Sequence, residues 1–255
     1  AEALHLKQRT LETLLEEAER SYHRFPLRGK RRRPRWIEAP KPLLKRVQRR
    51  LLEKFLYQAK PHSVAHGFYP GRSILTNASS HAGKAWVLSC DLKDFFPSTK
   101  QPMVETVLNR FHGFGTEARA AVLRLVCRRG ALPQGAPTSP HLANLAFFDG
   151  DERLSDLADE HGFAYTRYAD DLTLSGDSLP TDLEQRIEAI VDRTGYRLAK
   201  EKTKRMGRHQ CQKVTGLVVN EGIKLPRAPA ANQARGCCWS ALTAGSNHIS
   251  PHYII

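Results

Sequence analysis

Apolar residues in this chain recur with two periods, one helical and one strand-like, and their succession outlines an α+β fold. Near the N-terminus Leu11, Leu14, Leu15, Ala18 and Tyr22 share one face of a predicted helix. Over residues 43–58 a second stripe, Leu44, Val47, Leu51, Leu52 and Phe55, predicts a longer helix with Arg46, Arg50 and Lys54 repeating every fourth residue on another face. Between them residues 36–40 read as a short strand. Residues 85–92 form a mostly apolar strand that ends in Asp91 and turns away after it. Two helices follow, over 101–111 and 116–128, with Val104, Val107, Leu108 and Phe111 inward in the first. The loop 132–140 is rich in Pro and Gly, and Ser139 followed by Pro140 predicts an N-cap and first helical position for the next helix.

Alternation returns at residues 163–167 and 172–175, two strands meeting at the turn Tyr168-Ala169-Asp170-Asp171. Downstream, Thr181-Asp182-Leu183-Glu184 predicts a capping box for a helix with Leu183, Ile187, Ile190 and Val191 inward and Gly195 as its stop. A basic stretch, 200–205, precedes a hairpin expected to run from 213 to 219 and to turn at 220–222. Beyond Pro226 the periodicity is weak.

Charge is more informative here than overall composition. Forty Lys and Arg against 26 Asp and Glu give a net charge of +14 over 255 residues. Residues 1–60 hold 17 of the basic and 7 of the acidic side chains, including the run Arg28-Gly29-Lys30-Arg31-Arg32-Arg33-Pro34-Arg35. Such an excess suits a polyanionic partner, because neutralised phosphates release counterions. No apolar run reaches the length of a membrane span, so the expectation is a cytoplasmic protein with no membrane partner. Cys90, Cys127, Cys211, Cys237 and Cys238 show neither zinc spacing nor a disulfide framework and are expected to be reduced thiols.

The adjacent acids Asp170 and Asp171 suit either a polar hairpin tip or a metal site, since Asp is common in turns and a buried carboxylate pair needs cations. The order strand, helix, acidic hairpin, helix, strand is that of a split βαβ sheet with helices on one face. In such a sheet Asp91 comes beside Asp170 and Asp171. Three carboxylates, two hard cations and a phosphate-seeking surface describe two-metal phosphoryl transfer.

With these segments in hand, a resemblance emerges. Ser89-Cys90-Asp91-Leu92-Lys93-Asp94-Phe95-Phe96, then Leu132-Pro133-Gln134-Gly135 with Ser139-Pro140, then Tyr168-Ala169-Asp170-Asp171, resemble the successive motifs of a reverse transcriptase palm. Asn77-Ala78-Ser79-Ser80-His81 and Val214-Thr215-Gly216 resemble signatures of the bacterial retron branch. The similarity runs from about Arg33 to Leu225. It implies a right-hand polymerase fold with a ferredoxin-like palm. Residues 1–80 would form basic, mostly helical fingers with a short hairpin, and 81–225 the palm, with fingers helices interleaved at about 101–130. Residues 226–255 would be a short or incomplete thumb.

The resemblance also implies roles. Asp91 and Asp170 would be the principal ligands of two Mg²⁺ ions, which Mn²⁺ can replace, with Asp171 auxiliary and the Leu92 carbonyl a further contact. Phe96 would be the steric gate against a 2′-hydroxyl, with a plain core phenylalanine as the alternative. Arg35 and Arg72 would grip the triphosphate, Gln134 would border the sugar, and Lys202 would protonate the pyrophosphate leaving group. Asn77, His81, Val214, Thr215 and Gly216 would face RNA or primer, although a local hydrogen-bonding or turn device remains the alternative at each. The helix face of Arg46, Arg50 and Lys54, read from its spacing alone, could track a phosphate backbone, with a merely solvated face as its alternative. For a retron enzyme the implied partners are a structured non-coding RNA that serves as template and primer, its cDNA, dNTPs and an effector protein of an anti-phage system. Other readings of the same residues are a non-catalytic RNA-binding scaffold, a non-retron bacterial reverse transcriptase and an RNA-templated RNA polymerase.

Overall fold

The computed structural model describes residues 2–27, 35–111 and 114–226. Most of the basic run, the expected thumb and the Cys237–Cys238 pair lie outside the described residues.

The first helix, α1 (Gln8–Glu16), buries Leu14 but stops earlier than its apolar stripe suggests. A 3₁₀ turn at Ala18–Arg20 follows, and Tyr22 opens strand β1 (Tyr22–Leu27). Long-range contacts override the helical period here: the Tyr22 hydroxyl accepts from Gln48 Nε2 (2.9 Å), and the Arg128 guanidinium lies 5.2 Å from its ring. Strand β1 pairs antiparallel with β2 (Arg35–Pro40), Phe25 opposite Ile37 and Leu27 opposite Arg35. Helix α2 (Pro42–Lys54) carries Pro at its first turn, where no amide is needed, and buries Leu44, Val47, Gln48 and Leu51. A short helix, α3 (Ile74–Ser79), is closed by a capping box between Ser73 and Thr76.

Strand β3 (Trp86–Asp91) leads through α4 (Phe95–Ser98), α5 (Gln101–Asn109), α6 (Thr116–Val126), α7 (Ser139–Ala146) and α8 (Phe148–Glu160) to the hairpin of β4 (Ala164–Tyr168) and β5 (Asp171–Gly176). Helix α9 (Leu183–Arg193) returns the chain to β6 (Lys204–Gly207). The sheet order is β4-β5-β3-β6, antiparallel throughout, which is the expected split βαβ arrangement. Its two faces differ in chemistry. Leu88, Cys90, Leu172 and Leu174 join the main core with Val104, Leu142, Leu154 and Ile187 from the helices. On the opposite face Val87 packs with Ala78, Val214, Leu217 and Val219 in a smaller cluster. Ser89, Asp91, Asp171, Thr173 and Ser175 share that second face by strand alternation, so it is polar where the first is oily.

Three local expectations need correction. Ser139 is the first residue of α7 rather than its cap, and its hydroxyl donates to Pro133 O (2.8 Å), bracing the preceding loop. No side-chain cap forms at α9, which starts after Asp182, because Glu184 is held instead by Arg205 (2.9 and 2.7 Å). The C-terminal hairpin turns at Thr215 and Gly216, between β7 (Lys213–Val214) and β8 (Leu217–Val218), and a second reversal through 220–222 pairs Val218 with Lys224.

Candidate active site

Strand pairing brings the three acids together. Asp91 is the last residue of β3 and lies opposite Asp171, the first residue of β5. The Leu92 amide donates to Asp170 O (2.7 Å), fastening the hairpin turn to the end of β3, with Ala169 at φ 57 making the turn. On the other side the Ala199 amide donates to Asp91 O and the Lys93 amide to Arg197 O, both at 2.8 Å. These bonds draw in the 3₁₀ turn Lys200–Lys202, and Lys202 Nζ donates to Asp91 Oδ1 at 2.7 Å. Ser89 Oγ donates to Asp171 Oδ1 at 3.0 Å.

Electrostatics match this crowding. Burial raises the Asp170 carboxyl above the usual range and the Asp91 charge adds to the rise, while Lys202 and Arg35 oppose it. Asp171 is pushed up to about 7, chiefly by burial and then by the Asp91 and Asp170 charges, against the Ser89 hydrogen bond. Carboxylates that repel one another in a partly desolvated pocket gain from a cation, and the Lys202 ammonium already supplies one to Asp91. The donors are hard oxygens, suited to a hard divalent ion. Among the described residues no three His, Cys, Asp or Glu side chains form a ready-made metal cage, so any ion held here needs further ligands.

The other predicted residues divide. Arg35 is exposed on β2, close enough for its charge to act on Asp170. Arg72 is exposed, with Nη1 at 3.4 Å from His66 Nε2. Gln134 is half-buried and its carbonyl accepts from the Glu38 amide (2.7 Å), joining the Pro/Gly loop to β2. Phe96 is also half-buried, its ring 5.6 Å from Phe95 and 6.2 Å from Phe68.

The expected RNA-facing set is largely redirected. Arg50 donates to Leu4 O (2.5 Å) and His5 O (3.4 Å), and Lys54 Nζ donates to His5 Nε2 (2.7 Å), so both hold the N-terminal segment instead of forming a free basic track. Arg46 lines an open cavity of about 570 Å³ with Pro40, Pro42, Lys45 and Arg49. Asn77 and His81 are fully buried and cannot touch RNA directly. His81 bridges Ser175 Oγ and Thr166 Oγ1, both at 2.7 Å, and burial lowers its pKa to about 3, so it is a neutral structural histidine. Val214 is core, Thr215 Oγ1 donates to Ile74 O (3.3 Å), and Gly216 is exposed.

Sequence reasoning missed a network behind the hairpin. Arg167, on the helix-facing side of β4, is fully buried and clasps Asp151 of α8 through Nε (2.8 Å) and Nη2 (2.5 Å). Tyr165 donates to the same carboxylate (2.9 Å), and the guanidinium lies against the rings of Phe95 and Phe147. The signal was present: Arg167 occupies an inward position of an alternating strand, and Asp151 shares the apolar face of α8 with Leu154 and Leu157.

Comparison with known proteins fits this geometry. A family model described as reverse transcriptase (RNA-dependent DNA polymerase) matches residues 28–219. The retron Mx65 reverse transcriptase of Myxococcus xanthus is 41% identical over 214 residues, covering 76% of this chain and 50% of that protein. The retron Ec86 reverse transcriptase of Escherichia coli is 34% identical over 225 residues, covering 87% of this chain and 70% of that protein. The chain thus spans about half the length of the Myxococcus relatives it matches. Among solved structures, apo telomerase from Candida tropicalis, truncated from the C-terminal domain, aligns with TM-score 0.53 at 12% identity over 81% of this chain and 54% of that one. Telomerase from Candida albicans, in complex with a fragment of telomeric RNA, aligns with TM-score 0.50 at 12% identity over 86% of this chain and 50% of that one. At that identity the likeness concerns the fold, which is the right-hand polymerase fold. The sequence matches and the fold agree that the chain belongs to the reverse transcriptase family, in its bacterial retron type.

Proposed function

We propose that this protein is an RNA-templated DNA polymerase that copies part of a structured non-coding RNA into cDNA. The observation that carries the reading is the fastening of Asp170 to the end of β3 by the Leu92 amide, which holds two mutually repelling carboxylates beside Lys202. Asp91 and Asp170 would hold two Mg²⁺ ions, with Asp171 and the Leu92 carbonyl in support. Mg²⁺ commonly takes one or two carboxylates plus substrate phosphates, so an incomplete protein cage suits it. When bound, the ions would lower the pKa of the attacking hydroxyl, an internal 2′-hydroxyl of the RNA for the first nucleotide and the cDNA 3′-hydroxyl thereafter, and neutralise charge on the phosphates.

The chain's own residues do the rest. Arg35 and Arg72, both exposed, present planar guanidinium groups to the incoming triphosphate. The Phe96 ring bars a 2′-hydroxyl, the Gln134 loop lines the sugar, and Lys202 delivers a proton to the departing pyrophosphate. Arg46, in the basic cavity of α2, meets the RNA backbone. Residues 1–80 act as fingers and 81–225 as palm. No helix among the described residues is long and apolar enough to cross a membrane, and we place the reaction in the cytoplasm, beside an effector protein of an anti-phage system.

Sequencing the nucleic acid that co-purifies with the full protein tests this reading. A branched RNA–DNA hybrid present with wild type and absent with Asp170→Asn is the expected result. RNA without cDNA in both preparations would point to a scaffold, and unbranched cDNA to another bacterial branch.

A further inference from the structure

The helix-facing side of the β4–β5 hairpin holds a permanent charge that the proposed chemistry does not use. Arg167 is wholly desolvated, which a fold tolerates only with a full set of partners. Those partners run in two directions. Beyond its clasp on Asp151, Nη1 donates to Asn144 Oδ1 on α7 (2.8 Å) and to Ala169 O (3.0 Å), the carbonyl of the residue that makes the turn before Asp170. The Arg167 amide donates to Val64 O (2.9 Å), and its carbonyl accepts from the His66 amide (2.7 Å). Asn144 Nδ2 donates to Gly67 O (2.8 Å). Gly67 itself lies so close to the turn that a Cβ there would stand 2.6 Å from Ala169 N. Residues 64–67 lead directly to Arg72. One guanidinium therefore touches the turn that presents Asp170 and, through a single amide side chain, the segment that presents Arg72.

A buried Arg–Asp pair is weak evidence for stability, because apolar replacement is often neutral or better. What an apolar side chain cannot replace is a donor aimed at Ala169 O. We infer that Arg167, acting with Asn144, is a positioning residue that fixes the Asp170 turn relative to the Arg72 segment, so that divalent-cation affinity and dNTP affinity change together. This inference rests on the polymerase reading.

The test uses the full protein and two variants. Arg167→Lys keeps a charge opposite Asp151 but loses the fork that also reaches Ala169 O. Asn144→Ala leaves the Arg167–Asp151 pair whole and removes the bridge to Gly67, so it carries the test if Arg167→Lys fails to fold. Mn²⁺ binding is followed without nucleotide by the EPR signal of the free ion, and the dNTP KM and kcat are measured on a primed RNA. Each folded variant is expected to weaken Mn²⁺ binding and raise the dNTP KM together by about 5- to 50-fold, with kcat falling about 10- to 100-fold. A purely structural role would lower thermal stability while both constants stay at wild-type values, and that result overturns the inference. Asp170→Asn separates the two levels. If it binds Mn²⁺ as wild type does, the metal and polymerase reading fails; if only Asp170→Asn loses the ion, the reading stands and the positioning role falls.

Discussion

Replacing Asp171 with Asn should make the metal-free protein more stable while impairing its chemistry. The Asp171 carboxyl is pushed from 3.8 to about 7, mainly by burial and by the nearby Asp91 and Asp170 charges. A carboxyl whose folded pKa exceeds its unfolded one binds more protons folded than unfolded. Its contribution is therefore intact below pH 4, is lost as pH climbs from about 4 to 7, and stays lost above that. Three units at about 1.4 kcal/mol each set a ceiling of about 4 kcal/mol. Water and side-chain relaxation at the cleft wall bring the expected gain to about 2 kcal/mol, or roughly 4–8 °C in Tm for a chain of this size. Asn is isosteric and its carbonyl can still accept from Ser89 Oγ, so packing is preserved. Thermal melts of both proteins in EDTA, at pH 5 and pH 8, read the difference. His66 and His81, lowered to about 4 and 3, act with the opposite sign as pH falls below 6.5, which is why the variant is compared with wild type at each pH. The expected result is a larger advantage for Asp171→Asn at pH 8 than at pH 5, shrinking when Mg²⁺ is added. An equal or lower Tm at pH 8, or a difference that ignores pH, would mean that the Asp171 charge is not a cost in the metal-free fold.

Gly67→Ala forces a Cβ against the Ala169 backbone and should cost about 1–3 kcal/mol in urea unfolding, with nucleotide incorporation falling at least about 10-fold. Phe96→Ala should leave the fold intact and relax discrimination against rNTPs in competition assays; unchanged selectivity would return Phe96 to the role of a packing residue. His81→Leu strands the Ser175 and Thr166 hydroxyls in the core and should cost roughly 2–4 kcal/mol, with RNA affinity per folded molecule unchanged. Lost RNA affinity without lost stability would contradict the structural role given to this histidine.

Much of the site was legible because its signals are local. An apolar strand ending at Asp91 and an alternating hairpin around Asp170 follow from period-two patterning, and the sheet order follows from the order of elements. What escaped depends on partners distant in sequence. Tyr22 reads as the last residue of a helical stripe, yet Gln48 and Arg128 place it in a strand. Glu184 reads as half of a capping box, but the Arg205 fork competes for it successfully. Arg50 and Lys54 look like a phosphate track until residues 4–5 lie against them. The retron-like segments at 77–81 and 214–216 are recognisable as motifs, but a motif does not reveal burial. His81 proves to be a bridge beneath the sheet's polar face, and the residues at 215–216 prove to be the turn of a hairpin packed on α3.

On the proposed reading, Asp91 and Asp170 serve DNA synthesis on an RNA template. The decisive assay is extension of a labelled DNA primer on RNA, in Mg²⁺ with dNTPs, with wild type run beside Asp91→Asn and Asp170→Asn. Template-encoded extension by wild type that falls at least about 1,000-fold in each variant, with unchanged circular dichroism, is the predicted outcome. Extension that persists in both variants, or a folded wild type that incorporates no dNTP on RNA, would rule that role out.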